Sequence, residues 1–244
     1  MRLLNRQLRL LEYLTSGGAI FRDRRAVALD PSLQGMDRDR LDLEARFSHE
    51  KRREKIAAVF PRTIALLEDD FASIVRAFAD ACPPHDISRI ANARQFHHFL
   101  VENSKETPLH PPYLRDVAAC ELALAEARVG ADDDEYADAD PSDPPGLRRR
   151  RNVMLLRCGY DVRSIFENDG NSGVDAPPAA RKTCLAVAAD PRSAAPRMLE
   201  LAPEVYALVA ALDDWTDPSP FARTPEGAAL IAELAQAGLL EIRH

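Results

Sequence analysis

"LRRRRNVMLLRCGYDVRSIFE", residues 147–167, is where the chain changes character. Before it the apolar residues recur at helical spacing, and after it short strand-forming runs alternate with turns. Arg148 to Arg151 stand directly ahead of an apolar run, so the stretch reads either as a basic arm for phosphates or as the charged lead-in to a small sheet. "NVMLLRCGYDV" favours a first strand, with Val153–Leu156 at its start and Gly159 able to turn the chain. "DVRSIFE" alternates imperfectly, with Val162, Ile165 and Phe166 against Arg163, Ser164 and Glu167, and predicts a second strand. The loop "NDGNSGVDAPPAA" separates it from "KTCLAVAAD", predicted as a third strand, and "SAAPRMLE" (193–200) predicts a short helix.

Two further helices follow. "LAPEVYALVAALDDW" has Pro203 in its first turn and Val205, Leu208, Val209 and Leu212 on one face. "TPEGAALIAELAQAG" has Thr224 as cap, Pro225 at the first position and Gly238 as stop. "LLEIRH" closes the chain as an extended segment. Three strands and two or three short helices in one segment is the plan of a winged helix-turn-helix.

Working back from residue 147, "GADDDEYADADPSDPPG" (130–146) is acidic, carries three prolines and reads as a linker. Its charge sits beside the arginine run and partly neutralises it. Residues 1–129 read as helices throughout. Leu4, Leu8 and Leu11 follow helical spacing, and Ser16-Gly17-Gly18 ends that helix. A second helix runs from about Asp37 to Phe60 with Pro61 interrupting it; its middle, "SHEKRREK", has no apolar residue and reads as a solvated face or a docking face. Phe71, Ile74, Val75, Phe78 and Cys82 form one buried stripe, with Asp69 or Asp70 as cap and Pro83-Pro84 as stop. "HDISRIANARQFHHFLVEN" fits one helix or two with a turn near Asn92, and "PPYLRDVAACELALAEAR" opens another with Leu114, Val117, Ala118, Leu122 and Ala125 on one face. The fold class is therefore mainly α with a small α+β part: an N-terminal helical bundle and a C-terminal winged-helix domain with a three-stranded antiparallel sheet.

The net charge of −7 gives no bulk attraction to nucleic acid. Cys82, Cys120, Cys158 and Cys184 are widely spaced, no secretory signal or membrane-length apolar run is visible, and a cytoplasmic protein with reduced thiols is expected. His97 and His98 are adjacent and point about 100° apart on a helix, so no one-helix metal pair arises. No nucleophile elbow, phosphate-binding loop or dinucleotide fingerprint is present, and no catalytic residue is expected in this chain. A winged helix can read DNA, but the last helix carries two glutamates and no basic residue. The same module can take a peptide as an added strand, with "KTCLAVAAD" and the alanine-rich last helix as its groove. A DNA-binding regulator is the alternative function, and an enzyme built on the histidines a third.

The order of features in "EKIAAVFPRTIALLEDDFASIVRAFADACPP" and "PPYLRDVAACELALAEAR", with "RLLEYLTSGGAIF" and "ARQFHHFL", resembles the partner proteins of DUF692-type multinuclear iron oxidative enzymes, most of all those of methanobactin biosynthesis (the MbnC type). The resemblance covers roughly residues 7–129 and is architectural beyond that. It implies a non-catalytic subunit without a cofactor of its own. Its partners would be an MbnB-like iron enzyme, a heterodimer in which iron sits in the partner, and a precursor peptide of MbnA type. The complex would convert peptide cysteines to oxazolone and thioamide groups. The C-terminal domain would be similar to a RiPP recognition element, receiving the leader peptide as a strand. On that reading Thr183, Cys184, Leu185, Ala186, Val187 and Ala188 pair with the leader; Leu230, Ile231 and Leu234 form the opposite wall; Tyr113, Arg115 and Asp116 meet the enzyme.

Overall fold

A computed structural model describes residues 3–21, 28–84, 86, 88–106, 108–133, 144–167, 177–190, 193 and 195–243. The chain forms two compact units, Met1–Arg115 and Asp116–His244.

The first unit is helical: α1 Leu3–Leu14, α2 Gly17–Ile20, α3 Arg38–Ala57, α4 Pro61–Leu67, α5 Phe71–Ala81 and α6 Arg89–Glu106. Asp37 caps α3, its carboxylate accepting the N–H groups of Asp39 and Arg40. Pro61 both ends the preceding turn and opens α4, where its missing N–H costs nothing. The stripe on α5 is buried as its spacing predicts, at Ile74, Val75 and Phe78. Phe78 meets Phe96 edge-on at 5.2 Å and Phe99 at 5.5 Å, and Phe60 completes the aromatic core against Phe96. Of the two readings of 85–103, the single helix is the observed one. Asn92 lies inside α6, where its amide donates to the carbonyls of Asp86 and Ser88. On α1 the inward face is Leu10, Tyr13 and Leu14, while Leu3, Leu4, Leu8 and Leu11 are 72%, 63%, 50% and 55% exposed.

The second unit is a sheet held between helices. It comprises most of α7 (Leu114–Asp133), β1 Gly146–Arg149, β2 Met154–Cys158, α8 Arg163–Glu167, β3 Thr183–Ala189, β4 Pro196–Leu201, α9 Pro203–Ala211, α10 Pro225–Gln236 and β5 Leu240–Arg243. β2, β3 and β4 form an antiparallel sheet in that order, with Met154 opposite Val187 and Val187 opposite Met198. Side chains alternate across it. Ala186, Ala188, Leu155, Leu199 and Leu201 pack with Val209, Leu212 and Leu234 of the α9 and α10 layer. Val187, Met154, Leu156 and Met198 pack with Ala123, Leu124 and Ala127 of α7. Both faces of β3 are thus covered, which is why it reads as a continuous apolar run.

Two elements differ from the sequence-based expectation. "DVRSIFE" forms the helix α8 instead of a strand, with Val162 and Ile165 buried one turn apart. Within "SAAPRMLE", the residues from Pro196 onward belong to the strand β4 instead of a helix. The three-stranded sheet survives both changes, with β3 as its middle strand. Within "LLEIRH", Leu240–Arg243 is extended as expected and pairs with β1 in a second, two-stranded sheet; His244 lies outside the described residues. Gly238 ends α10 at φ 77°, a left-handed position that suits glycine.

The arginine run is built into this second sheet. Arg148 pairs with Glu241 across it and lies 4.4 Å from the ring of Trp215, which Arg243 also approaches at 4.4 Å. Arg150 and Arg151 reach the turn before β2.

α7 is the element whose assignment changes most. Sequence spacing groups residues 114–129 with the helices before them, whereas from Asp116 onward α7 is part of the second unit. Of residues 130–146, expected as an acidic linker, 130–133 continue α7, Gly146 opens β1, and 134–143 lie outside the described residues. α7 is tied to the end of β2 by the Asp116 carboxylate, which accepts the N–H groups of Gly159 at 2.8 Å and Tyr160 at 3.0 Å. One turn on, Cys120 and Cys158 lie in thiol–thiol contact; that hydrogen bond, with burial, pushes the Cys120 thiol far up and keeps it protonated. Asp116→Ala leaves two backbone donors without their acceptor. Urea unfolding of the variant is expected to show a loss of about 1–3 kcal/mol.

Candidate functional site

The residues expected to receive a leader strand occupy the middle of the sheet. Thr183, Leu185, Ala186, Val187 and Ala188 are buried and Cys184 half-buried, and β3 is paired along one side with β2 and along the other with β4. Its N–H and C=O groups already have partners, so a further strand cannot add there. This corrects the expected site at Thr183–Ala188. The cause is the segment 193–200: read as a helix it makes β3 the last strand of the sheet, whereas Pro196–Leu201 is a further strand beside it. Leu234 is buried in the core under the sheet, and Leu230 and Ile231 are partly buried against the same core. The three therefore belong first to packing, with Leu230 and Ile231 keeping some exposed surface. Among the residues expected to meet a partner enzyme, Arg115 is exposed and Tyr113 half-buried. Asp116 is the acceptor that ties α7 to Gly159 and Tyr160.

The sheet's free hydrogen-bonding positions lie on its outer strands. β4 pairs only with β3 among the described residues, which leaves its other edge unpaired over Pro196–Leu201. Its side chains are half-buried except Glu200. Leu199 and Leu201 lean toward the α9 and α10 layer and Met198 toward α7. The C-terminal end of α10 stands beside the start of β4, because Arg197 Nη2 donates to the Ala237 carbonyl at 2.7 Å while Nη1 meets Asp190 at 3.1 Å. This gives β4 an apolar wall on its helix side, with Leu230 and Ile231 further along α10. β2 also has one unpaired edge, but the α10 contact is made at β4.

Ion pairs hold the far end of β4. Arg163 of α8 makes two bonds to Asp161, at 2.9 and 2.8 Å, and reaches Glu200 of β4 at 2.7 Å. Arg181 bridges Asp161 and Glu200 from the segment leading into β3. The hydrogen bonds from Arg163, joined by those from Arg181 and opposed by burial, hold the Asp161 carboxyl well below the usual carboxylate range. Arg181 likewise holds the Glu200 carboxyl down. The sequence placed neither carboxylate at a site, because Arg181, which joins them, lies 20 residues from Asp161 and 19 from Glu200.

Among the described residues no cluster of three or more His, Cys, Asp or Glu side chains is placed to hold a metal ion, and no helix is long and apolar enough to cross a membrane. The profile of the family described as SCO6045-like, C-terminal domain, matches residues 24–102, which lie within the first unit. No curated protein matches the chain.

Because its carboxyl is held down in the folded state, Asp161 contributes stability that is complete above its unfolded pKa of about 3.9 and is lost as pH falls through the lower folded value. Stability measured by urea unfolding from pH 6 down to pH 2, at about one-unit steps, is therefore expected to decline more steeply in the natural chain than in Asp161→Asn. Parallel curves for the two would remove Asp161 from the acid response.

Proposed function

We propose that this chain is the non-catalytic recognition subunit of a peptide-modifying complex. It takes the leader of a ribosomal precursor peptide as an added strand along the outer edge of β4. It accompanies an iron-dependent oxidative enzyme of MbnB type, which converts cysteines of an MbnA-like peptide to oxazolone and thioamide groups. Iron belongs to that enzyme, and the complex works in the cytoplasm. The observation that supports this reading is the unpaired edge of β4, flanked by half-buried apolar side chains and by the end of α10. An extended peptide gains main-chain hydrogen bonds from such an edge, and its alternate side chains fall against Leu199 and Leu201 on one face and Met198 on the other. The resemblance of residues 7–129 to the methanobactin partner proteins supports assigning the enzyme contact to the helical part, with the exposed Arg115 and neighbouring Tyr113 as first candidates.

Co-expression with an MbnB-like enzyme and an MbnA-type precursor tests the whole reading. A stable heterodimer by size exclusion and a mass change at the peptide cysteines are expected. Duplex DNA bound with a steep salt dependence, and neither protein partner retained, would instead favour a transcriptional regulator. The edge is tested by placing proline at Met198 and, separately, at Leu199. Neighbouring N–H groups of a strand point to opposite sides, so one variant removes a donor to β3 and the other a donor to the outer edge. The outward variant is expected to keep its thermal midpoint close to that of the natural chain and to lose leader binding by about tenfold or more in a fluorescence-anisotropy titration. Undiminished leader binding in both variants would remove β4 as the site.

A further inference from the structure

The segment "SHEKRREK", which carries no apolar residue, lies along α3 and takes part in a cavity of about 570 Å³ in the first unit. That volume is in the range of small-molecule sites. One wall is apolar: Leu11 and Leu14 of α1, with Ile20 of α2. Facing them on α3 are His49, Lys51, Arg52 and Lys55.

Arg52 is the informative residue. It is only 8% exposed, and its guanidinium lies 4.2 Å from the Phe78 ring centroid. Its three hydrogen-bond acceptors are the Asn92 side chain at 2.9 Å, the Cys82 carbonyl at 2.7 Å and the Gln95 side chain at 2.6 Å. All three are neutral. Burial of this cation lowers its pKa to about 10. A buried guanidinium held only by neutral dipoles is oriented without being charge-compensated. Two of its five N–H donors remain beyond these three bonds. Asp86 also lines the cavity, but its carboxylate accepts the Ser88 N–H at 2.8 Å at the start of α6. Beside Arg52, His49 stacks edge-on with Phe21, and its Nδ1 is buried with no hydrogen-bond partner. Burial, aided by the Arg52 charge, holds the imidazole below its ordinary pKa and so in the neutral form at pH 7.

We propose that this cavity binds a small organic anion, a carboxylate with an apolar tail, whose charge compensates Arg52 and whose tail lies on Leu11, Leu14 and Ile20. The carboxylate also supplies the His49 Nδ1 with its missing partner, and Lys51 and Lys55 add long-range attraction. This site is separate from the β4 edge and stands or falls without it.

Sodium octanoate is the probe, with octanol and octylammonium as controls for tail and charge. Calorimetric titration of the natural chain is expected to give one saturable octanoate site at millimolar concentration or below, with octanol weaker and octylammonium not binding. The His49 ring signals in NMR are expected to shift with the same isotherm. Lys51→Glu, on the exposed side of α3, is expected to weaken octanoate by about tenfold while leaving the circular dichroism and thermal midpoint unchanged. Arg52→Gln, if folded by the same criteria, is expected to abolish saturation. Absence of a saturable site at millimolar octanoate would overturn the proposal. So would octylammonium binding as tightly as octanoate, or Lys51→Glu and the His49 signals remaining indifferent to the ligand.

Discussion

The second unit depends on the smallness of side chains in β3. Ala186 and Ala188 are fully buried on one face, and Leu185 and Val187 are fully buried on the other. Methyl groups at 186 and 188 let the layer of α9 and α10 come close, and the alanines of α7 at 123 and 127 do the same opposite Val187. With helices on both faces, the strand cannot be a solvated surface. Its neighbours β2 and β4 follow as necessities, since an unpaired buried strand would leave its peptide groups without partners. The sites still available to another molecule are then those on the outer strands.

This ordering separates what was legible in the sequence from what was not. Apolar spacing located α5, α7, α9 and α10, with the last predicted stripe residues of α5 and α9, Cys82 and Leu212, at their C-caps. The cap at Thr224 and the stop at Gly238 were readable because they act through their immediate neighbours, whereas Asp70, expected to cap α5, makes no side-chain capping bond. The misreadings were short segments decided by distant partners. "RSIFE" is helical, with Val162 and Ile165 buried one turn apart, while "PRMLEL" has no β-branched residue and is a strand because β3 offers it six paired positions. One such error moved the expected peptide edge by a whole strand. The small antiparallel sheet among helices was visible; which of its strands is outermost was not.

α7 illustrates a second limit. Its apolar and small residues cover one helix face whether that face meets other helices or a sheet, so periodicity alone could not say which unit it joins. The contact that fixes it, from Asp116 to the backbone at 159 and 160, spans more than forty residues. Arg52 is a similar case. Within "SHEKRREK" it is one cation among several, yet its long side chain runs inward to Phe78 and Asn92 while Lys51 stays outside. The sequence marks the charge and not its direction.

The outer strand of the sheet begins with a proline. Pro196 stands opposite Ala189 and has no N–H to offer, while Arg197 and Glu200 add charge along the same short strand. An edge composed in this way is poorly suited to a second identical edge. Two copies of β4 meeting side by side would set proline and charged residues into an extended ladder, so runaway sheet growth is disfavoured at this edge. Proline and charge on an outer strand thus act against self-association of this sheet.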